Sequence, residues 1–440
     1  MTSRPWHLVI LLCVTATASY LCRVNLSVAG ALLMPDLGLS QIELGRVFSA
    51  FILGYALLQI PAGMLADRWG ARRVLAAAAF AWAAATGLTA AAGWGWLGRT
   101  SAATLAILLV LRCLLGACEA PTFPAAAQGV ARWIPPAQQG RANGIVLAGV
   151  GLGSALAPPL LSAVMTRWGW RTALLVSALP ALGVALAWLR VQEPEAAHLP
   201  PLQIDPTSGG AARQPPSTPV TAQVPGAGAR RSSLKSLRFV LLTASYTLQG
   251  YVGYIFVFWF YLYLVEERHF DLLRGAAFSS LPWILSIVSI PLGGIVSDRL
   301  VAGRLGLAWG RRAVPLAGLT FAGIFLAVGA QTRNAYGAVA CLTLATALVL
   351  SVEGPFWATM MEIAGANTGA AGGVMNMGTN VGGFISPALT PILAARWGWT
   401  NALYVAAAVS VLAALLWLGI SPQISRGQDG RATSRAGAER

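Results

Sequence analysis

Twelve stretches of the chain are each long and apolar enough to cross a lipid bilayer, which constrains the fold more than any other feature. They occupy residues 6–34, 42–66, 74–97, 103–127, 140–165, 171–191, 239–265, 274–298, 313–331, 336–360, 368–394 and 400–419. A helix needs about 20 apolar residues to traverse the hydrocarbon core. In lipid the backbone must satisfy its own hydrogen bonds, so only helices and closed barrels span. These runs lack the strict alternation of barrel strands. Composition agrees: 56% of the residues are apolar and 10% charged, against roughly a quarter charged in ordinary globular domains. So few charges cannot cover a water-facing surface. The sequence predicts an all-α membrane protein of twelve transmembrane helices.

The first run follows Arg4 and starts like a secretory signal, yet it continues from Trp6 through Tyr20 to Met34 without a clear small-residue cleavage site. An uncleaved first helix is expected. Residues 192–237 are rich in Pro, Gly, Ser and Ala and read as a cytoplasmic flexible linker. The expected organisation is therefore an N-terminal six-helix bundle (1–191), the linker (192–237), a C-terminal six-helix bundle (238–420) and a disordered cytoplasmic tail (421–440).

The net charge of +15 does not point to nucleic acid, because the basic residues sit at the ends of apolar runs rather than along one face with interleaved aromatics. They set topology instead. With both termini cytoplasmic, 20 of the 30 basic residues fall on the inner side and eight on the outer, leaving Arg23 and Arg112 inside helices. The expected location is the plasma membrane. The five cysteines lie inside apolar runs, and no cofactor or metal spacing is present.

The two halves repeat one another. Gly153, Pro158 and Arg167-Trp168-Gly169-Trp170 recur as Gly382, Pro387 and Arg396-Trp397-Gly398-Trp399, offset by 229. Gly63, Asp67 and Arg68 recur as Gly294, Asp298 and Arg299, and Glu119-Ala120-Pro121 recurs as Glu353-Gly354-Pro355. Six helices repeated in parallel is the plan of a two-bundle carrier with its site between the bundles.

Ionisable groups inside a membrane are expensive and mark function by default. Arg23 lies in the first helix. Arg112 and Glu119 lie seven residues apart in the fourth, about two turns, on one face. An arginine fork binds a carboxylate at two points, so two such groups can hold an acidic substrate. A carboxyl in an apolar site can take up and release a proton, which is what proton coupling requires. A structural Arg112–Glu119 pair and a snorkelling Arg23 remain the alternatives. Glu353 is either a second titratable group or a structural residue near the inner end of helix ten. The rings at Tyr251, Tyr254, Phe256, Phe258, Trp259, Phe260 and Tyr261 either line a sugar-sized cavity or face lipid.

The run Gly63-Met-Leu-Ala-Asp67-Arg68-Trp-Gly70-Ala-Arg72-Arg73 resembles the signature of the major facilitator superfamily. A fold of two pseudo-symmetric six-helix bundles is thereby implied. So is a cytoplasmic gate at Gly63, Asp67, Arg68 and Arg72, with Asp298 and Arg299 as the repeat's counterparts. Tyr20-Leu-Cys-Arg23-Val-Asn25 in helix one and Arg112-Cys-Leu-Leu-Gly116-Ala-Cys-Glu119-Ala-Pro in helix four resemble the anion:cation symporter family within that superfamily. So do Gly54-Tyr55, Gly354-Pro355-Phe356-Trp357 and Asn376-Met-Gly378-Thr-Asn380. That resemblance implies substrate contacts from Arg23, Tyr20, Tyr55, Arg112, Trp357 and Asn376, and proton coupling through Glu119; the internal repeat makes Glu353 a second candidate. It implies a secondary transporter of a small organic anion such as a sugar acid, coupled to protons; a non-enzymatic chain is expected, and a monomer is the default expectation. One departure stands out: sugar-acid symporters of this family often carry an acidic residue just before the helix-one arginine, where this chain has Cys22.

Two other readings compete. A proton-coupled efflux antiporter would resemble its relatives in a Gly-Pro step in helix five, which Gly149-Val-Gly151-Leu-Gly153-Ser-Ala-Leu-Ala-Pro158 lacks. A membrane-embedded enzyme would need a nucleophile–base or metal arrangement, and a sensor an output domain. A facilitator of unknown substrate is the fallback.

Overall fold

The computed structural model describes residues 4–94, 100–135, 138–192, 236–365 and 368–421, so nearly all of the expected linker and tail lies outside the described residues. The long helices, in chain order, are α1 (Arg4–Leu37), α2 (Gln41–Trp69), α3 (Ala71–Ala90), α4 (Ser101–Glu119), α5 (Thr122–Trp133) and α6 (Gln139–Arg190). They continue with α7 (Leu237–Phe258), α8 (Leu272–Ala302), α9 (Gly306–Gln331), α10 (Ala335–Ser351), α11 (Glu353–Ala364) and α12 (Thr368–Leu416). A short helix, Phe260–Leu262, and a π-helical turn, Tyr263–Glu267, follow α7. Side chains close the helix ends where the sequence supplies them. Ser40 Oγ accepts from the Glu43 N–H at 3.2 Å while Glu43 accepts from the Ser40 N–H at 2.8 Å, a capping box that starts α2.

Ten helical stretches among the described residues are long and apolar enough to span, and backbone breaks reconcile this with twelve passes. Helices α6 and α12 run 52 and 49 residues, more than twice the about 20 that one crossing needs. Each contains one non-helical residue: Gly169 at φ 81°, ψ 167°, and Gly398 at φ 82°, ψ 159°. These are the glycines of the repeated Arg-Trp-Gly-Trp. Glycine adopts positive φ at no steric cost, whereas a side chain there is strained. Each long helix is thus two passes joined at its glycine. The converse holds at residues 103–127, expected as one uninterrupted helix. There a turn at Ala120–Pro121 separates α4 from α5, where proline lacks the N–H that would continue the ladder. The repeat counterpart, between α10 and α11, breaks at Val352, just before Glu353-Gly354-Pro355.

The chain divides into two compact units. Unit 1 contains Met1–Val224 with Ile255–Ile284 and Pro387–Ile392. Within it α2 and α4 cross so closely that a Cβ on Gly54 would strike the Cys113 carbonyl, and one on Gly116 the Phe51 carbonyl. This crossing sets Phe51 and Tyr55 beside the end of α4. The aromatic run from Phe256 to Tyr261, at and just beyond the end of α7, does not lie on the outer surface. Phe256, Phe258, Trp259, Phe260 and Tyr261 are buried, with Phe48 stacked on Phe258 at 4.8 Å and edge-on to Trp259 at 5.4 Å. Unit 2 contains Pro225–Tyr254, Leu285–Ser386 and Leu393–Arg440. Its core centres on Phe356, flanked by Tyr246 and Trp417, each at 4.9 Å between ring centres. The exposed side chains of the spanning helices are largely apolar, among them Leu57, Ile60, Val110, Leu179 and Val288. Such an exterior suits hydrocarbon, where leucine gains nothing by turning inward.

Candidate functional site

Helix α1 carries two polar faces, and spacing along it decides what each meets. Ser19, Tyr20 and Arg23 recur at three- and four-residue steps and so share a face. Cys22 and Asn25 share the next one round. The first face meets Glu119, the last residue of α4. Arg23 and Glu119 form an ion pair, Nη2 to Oε2, at 3.1 Å, with the side chains 2% and 0% exposed. Arg23 Nε also donates to Oε2 at 3.3 Å, and Ser19 Oγ donates to it at 2.9 Å. Glu119 Oε1 is buried with no hydrogen-bond partner among the described residues.

Rings enclose the Arg23 guanidinium. Its central carbon lies 4.4 Å from the Tyr20 ring centre, 4.9 Å from Phe51 and 4.7 Å from Tyr55. Cation–π attraction strengthens when the cation is desolvated, so the three rings stabilise the charge while excluding water from it. Arg23 Nη1 also donates to the Tyr20 hydroxyl at 3.2 Å. An isolated snorkelling arginine would have none of these partners.

Arg112, expected on the same face of α4 as Glu119, does not pair with it. Seven residues of helix amount to about 10.5 Å of rise, beyond ion-pair reach for two side chains that both turn sideways to α1. Arg112 meets the second face of α1 instead. Nη2 donates to Asn25 Oδ1 at 2.7 Å and Nη1 to the Cys22 carbonyl at 3.5 Å. Asn25 Nδ2 donates to Ser177 Oγ at 2.8 Å, Ser177 Oγ to the Leu174 carbonyl at 2.6 Å, and Cys22 Sγ to the Ser177 carbonyl at 3.2 Å. This network ties α1, α4 and α6 together.

Unit 2 holds a second carboxyl, half-buried, at Glu353. Tyr246 donates its hydroxyl to Glu353 Oε2 at 2.9 Å and Gln249 Nε2 donates to Oε1 at 3.0 Å, both from α7. Trp357, one turn further along α11, stands edge-on to Tyr246 at 6.5 Å. Asn376 is half-buried on α12.

At the expected gate, Arg72 donates to the Trp188 carbonyl at 3.1 Å and the Leu189 carbonyl at 2.6 Å, satisfying open carbonyls at the end of α6. Gly63 faces Pro124. Arg68 is exposed, and the Asp67 side chain lies outside the described residues. In unit 2 Asp298 pairs with Arg311 at 2.6 Å, and Arg311 pairs with Glu362 at 2.8 Å, while its expected neighbour Arg299 is exposed. Sequence reasoning did not find Ser19, Phe51, Ser177, Tyr246, Gln249, Arg311 or Glu362. Arg311 was within reach, because Gly310-Arg311-Arg312 echoes the Gly70-Ala71-Arg72-Arg73 that ends the first-half motif.

Repeated sets of spanning helices with ionisable side chains buried between them define a membrane transporter rather than an enzyme. The chain belongs to the major facilitator superfamily, whose family model matches residues 12–371 and 299–438. It is 32% identical over 426 residues to a probable sulfoacetate transporter of Cupriavidus necator, covering 95% of this chain and 94% of that one. It is 26% identical to a hexuronate transporter of Bacillus subtilis, covering 92% of both chains. It is also 26% identical to a D-galactonate transporter of Escherichia coli, covering 96% of this chain and 97% of that one. Among solved structures, a bacterial homologue of the human lysosomal transporter Spinster superposes with a TM-score of 0.76 at 16% identity, covering 96% of this chain and 99% of that one.

Proposed function

We propose that the protein is a secondary active carrier that moves a small organic anion by alternating access together with protons. The observation that carries this reading is the Arg23–Glu119 pair, buried at 2% and 0% exposure inside a box of three rings. The relatives named for hexuronate, D-galactonate and sulfoacetate support an acid as substrate. They divide chemically into acids with one ionised head and an acid with two.

While Glu119 is ionised it neutralises Arg23, and an incoming anion must displace it. Stripping a buried charge of its partner costs about 3–5 kcal/mol. Protonation of Glu119 removes that obstacle. Oε2 already accepts three hydrogen bonds and Oε1 accepts none, so Oε1 is the oxygen that takes the proton. The freed guanidinium then offers its planar fork to a carboxylate, with the Tyr20 hydroxyl placed to donate to the same group. Either ligand alone leaves an uncompensated charge in a desolvated box, so proton and anion load together.

In this reading Arg23, Tyr20, Tyr55, Arg112, Trp357 and Asn376 contact substrate, and Glu119 and Glu353 carry protons. Gly63, Asp67, Arg68, Arg72, Asp298 and Arg299 form the cytoplasmic gate, with Arg311 linking Asp298 to Glu362. The halves 1–191 and 238–420 act as the moving bundles of a monomer in the plasma membrane, with both termini cytoplasmic. The test is uptake of labelled organic acids into proteoliposomes under an inward proton gradient. Wild type should accumulate an acid that Arg23→Ala does not transport. Normal transport by Arg23→Ala would refute the assignment.

A further inference from the structure

The two buried arginines of unit 1 are not alike. Among the described residues Arg23 has a carboxylate partner and Arg112 has none. Both recorded acceptors of Arg112, the Asn25 amide and the Cys22 carbonyl, are uncharged. Its Nε meets no partner among the described residues, although the side chain is only 2% exposed. Asn25 is itself held by Ser177, which fixes its oxygen toward Arg112. Arg112 reaches α1 at Cys22, whose carbonyl it meets at 3.5 Å, so position 22 is where a counter-charge would act, and it carries none. The remaining described carboxylates of unit 1, at Asp36, Glu43, Glu266, Glu267 and Asp271, lie at helix ends and loops rather than among these groups.

The buried groups of this unit therefore sum to one excess positive charge with Glu119 ionised, and to two once it is protonated. A buried charge without a counter-ion is strongly unfavourable. Resting on the anion–proton reading above, we propose that the substrate is a dianion, a small molecule with two ionised acid groups. One group takes Arg23 from protonated Glu119. The other is the counter-ion that Arg112 lacks, approaching its open Nε. A monoanion would leave one arginine uncompensated in the loaded site, and a dianion leaves neither.

The test uses the full chain in proteoliposomes at neutral pH, with acids paired by carbon skeleton: glucarate against gluconate, and sulfoacetate against glycolate. Each is scored as a competitor of the best-transported labelled acid of the four, and by thermal stabilisation of the detergent-purified protein, which reads binding without transport. The dianion of each pair should compete at roughly tenfold lower concentration or better. Cys22→Asp supplies Arg112 with a fixed counter-ion and should abolish or reverse that preference. Cys22→Asn, similar in size and uncharged, should keep it. The proposal is overturned if wild type prefers the monoanions, or if the aspartate and asparagine variants discriminate alike. Acids that bind without regard to charge defeat this inference alone. If no acid binds or competes, the anion reading fails and takes the dianion with it.

Discussion

Glu119→Gln keeps the shape of the side chain and removes its charge. In the protein Oε2 accepts from Ser19 at 2.9 Å and from Arg23 at 3.1 and 3.3 Å. Deleting one member of a buried pair costs about 3–5 kcal/mol, and because glutamine still accepts one hydrogen bond, about 3 kcal/mol is the expected loss of stability. That same energy is recovered when an anion supplies the missing charge. At 1.4 kcal/mol per factor of ten, anion affinity should rise by about a hundredfold over the unprotonated wild type. The pH dependence separates this from a general effect. On the proposed coupling, wild type should bind the anion only with Glu119 protonated, so its affinity should fall by about tenfold per pH unit on the alkaline side of that titration. The variant should bind with no such slope. Calorimetry of anion binding from mildly acid to alkaline pH measures both quantities. Flux assays should show exchange of the acid without accumulation, since the variant binds no proton at this position. Arg23→Gln/Glu119→Gln, which removes both charges, should regain most of the lost stability. If wild type and Glu119→Gln bind the anion with the same pH slope, Glu119 is not the coupling group.

Three further outcomes follow from the geometry. Arg72→Ala removes two charge-assisted hydrogen bonds to carbonyls at the end of α6, and thermal melts should show a loss of about 2 kcal/mol, with Arg72→Lys recovering part of it. Gly169→Ala places a side chain at φ 81° and should destabilise by about 1 kcal/mol or more, whereas Gly183→Ala, with open space around a helical glycine, should stabilise by about 0.5–1 kcal/mol. Equal shifts in melting temperature would refute the backbone argument. Glu266, beyond the end of α7, is held above the ordinary carboxylate range by burial, partly offset by a hydrogen bond from Gln41. A raised folded-state value means that its contribution is full in acid and is lost as pH rises through that value, so Glu266→Gln should raise the melting temperature at neutral pH and leave it unchanged in acid.

The fold was legible in the sequence because lipid removes most alternatives: a spanning segment must be helical and about 20 residues long, and length and hydropathy therefore locate it. The repeat of Arg-Trp-Gly-Trp even marked the two backbone breaks, though only the dihedral angles at Gly169 and Gly398 show that glycine is required there. The site was legible as a set of residues and not as a set of pairs. Arg23, Arg112 and Glu119 stand out because charge in a membrane is costly. Which of them meet depends on how α1 packs against α4 in three dimensions, and no local run of sequence encodes that packing. Partners such as Ser19 and Ser177 are ordinary residues whose roles arise only from position. The same logic explains why charge balance was missed. A count along the chain gives two arginines and one glutamate, but whether one arginine is left over depends on the partner of each. The separation of Arg23–Glu119 from Arg112–Asn25 turns a list of ionisable residues into an argument about the charge of the cargo.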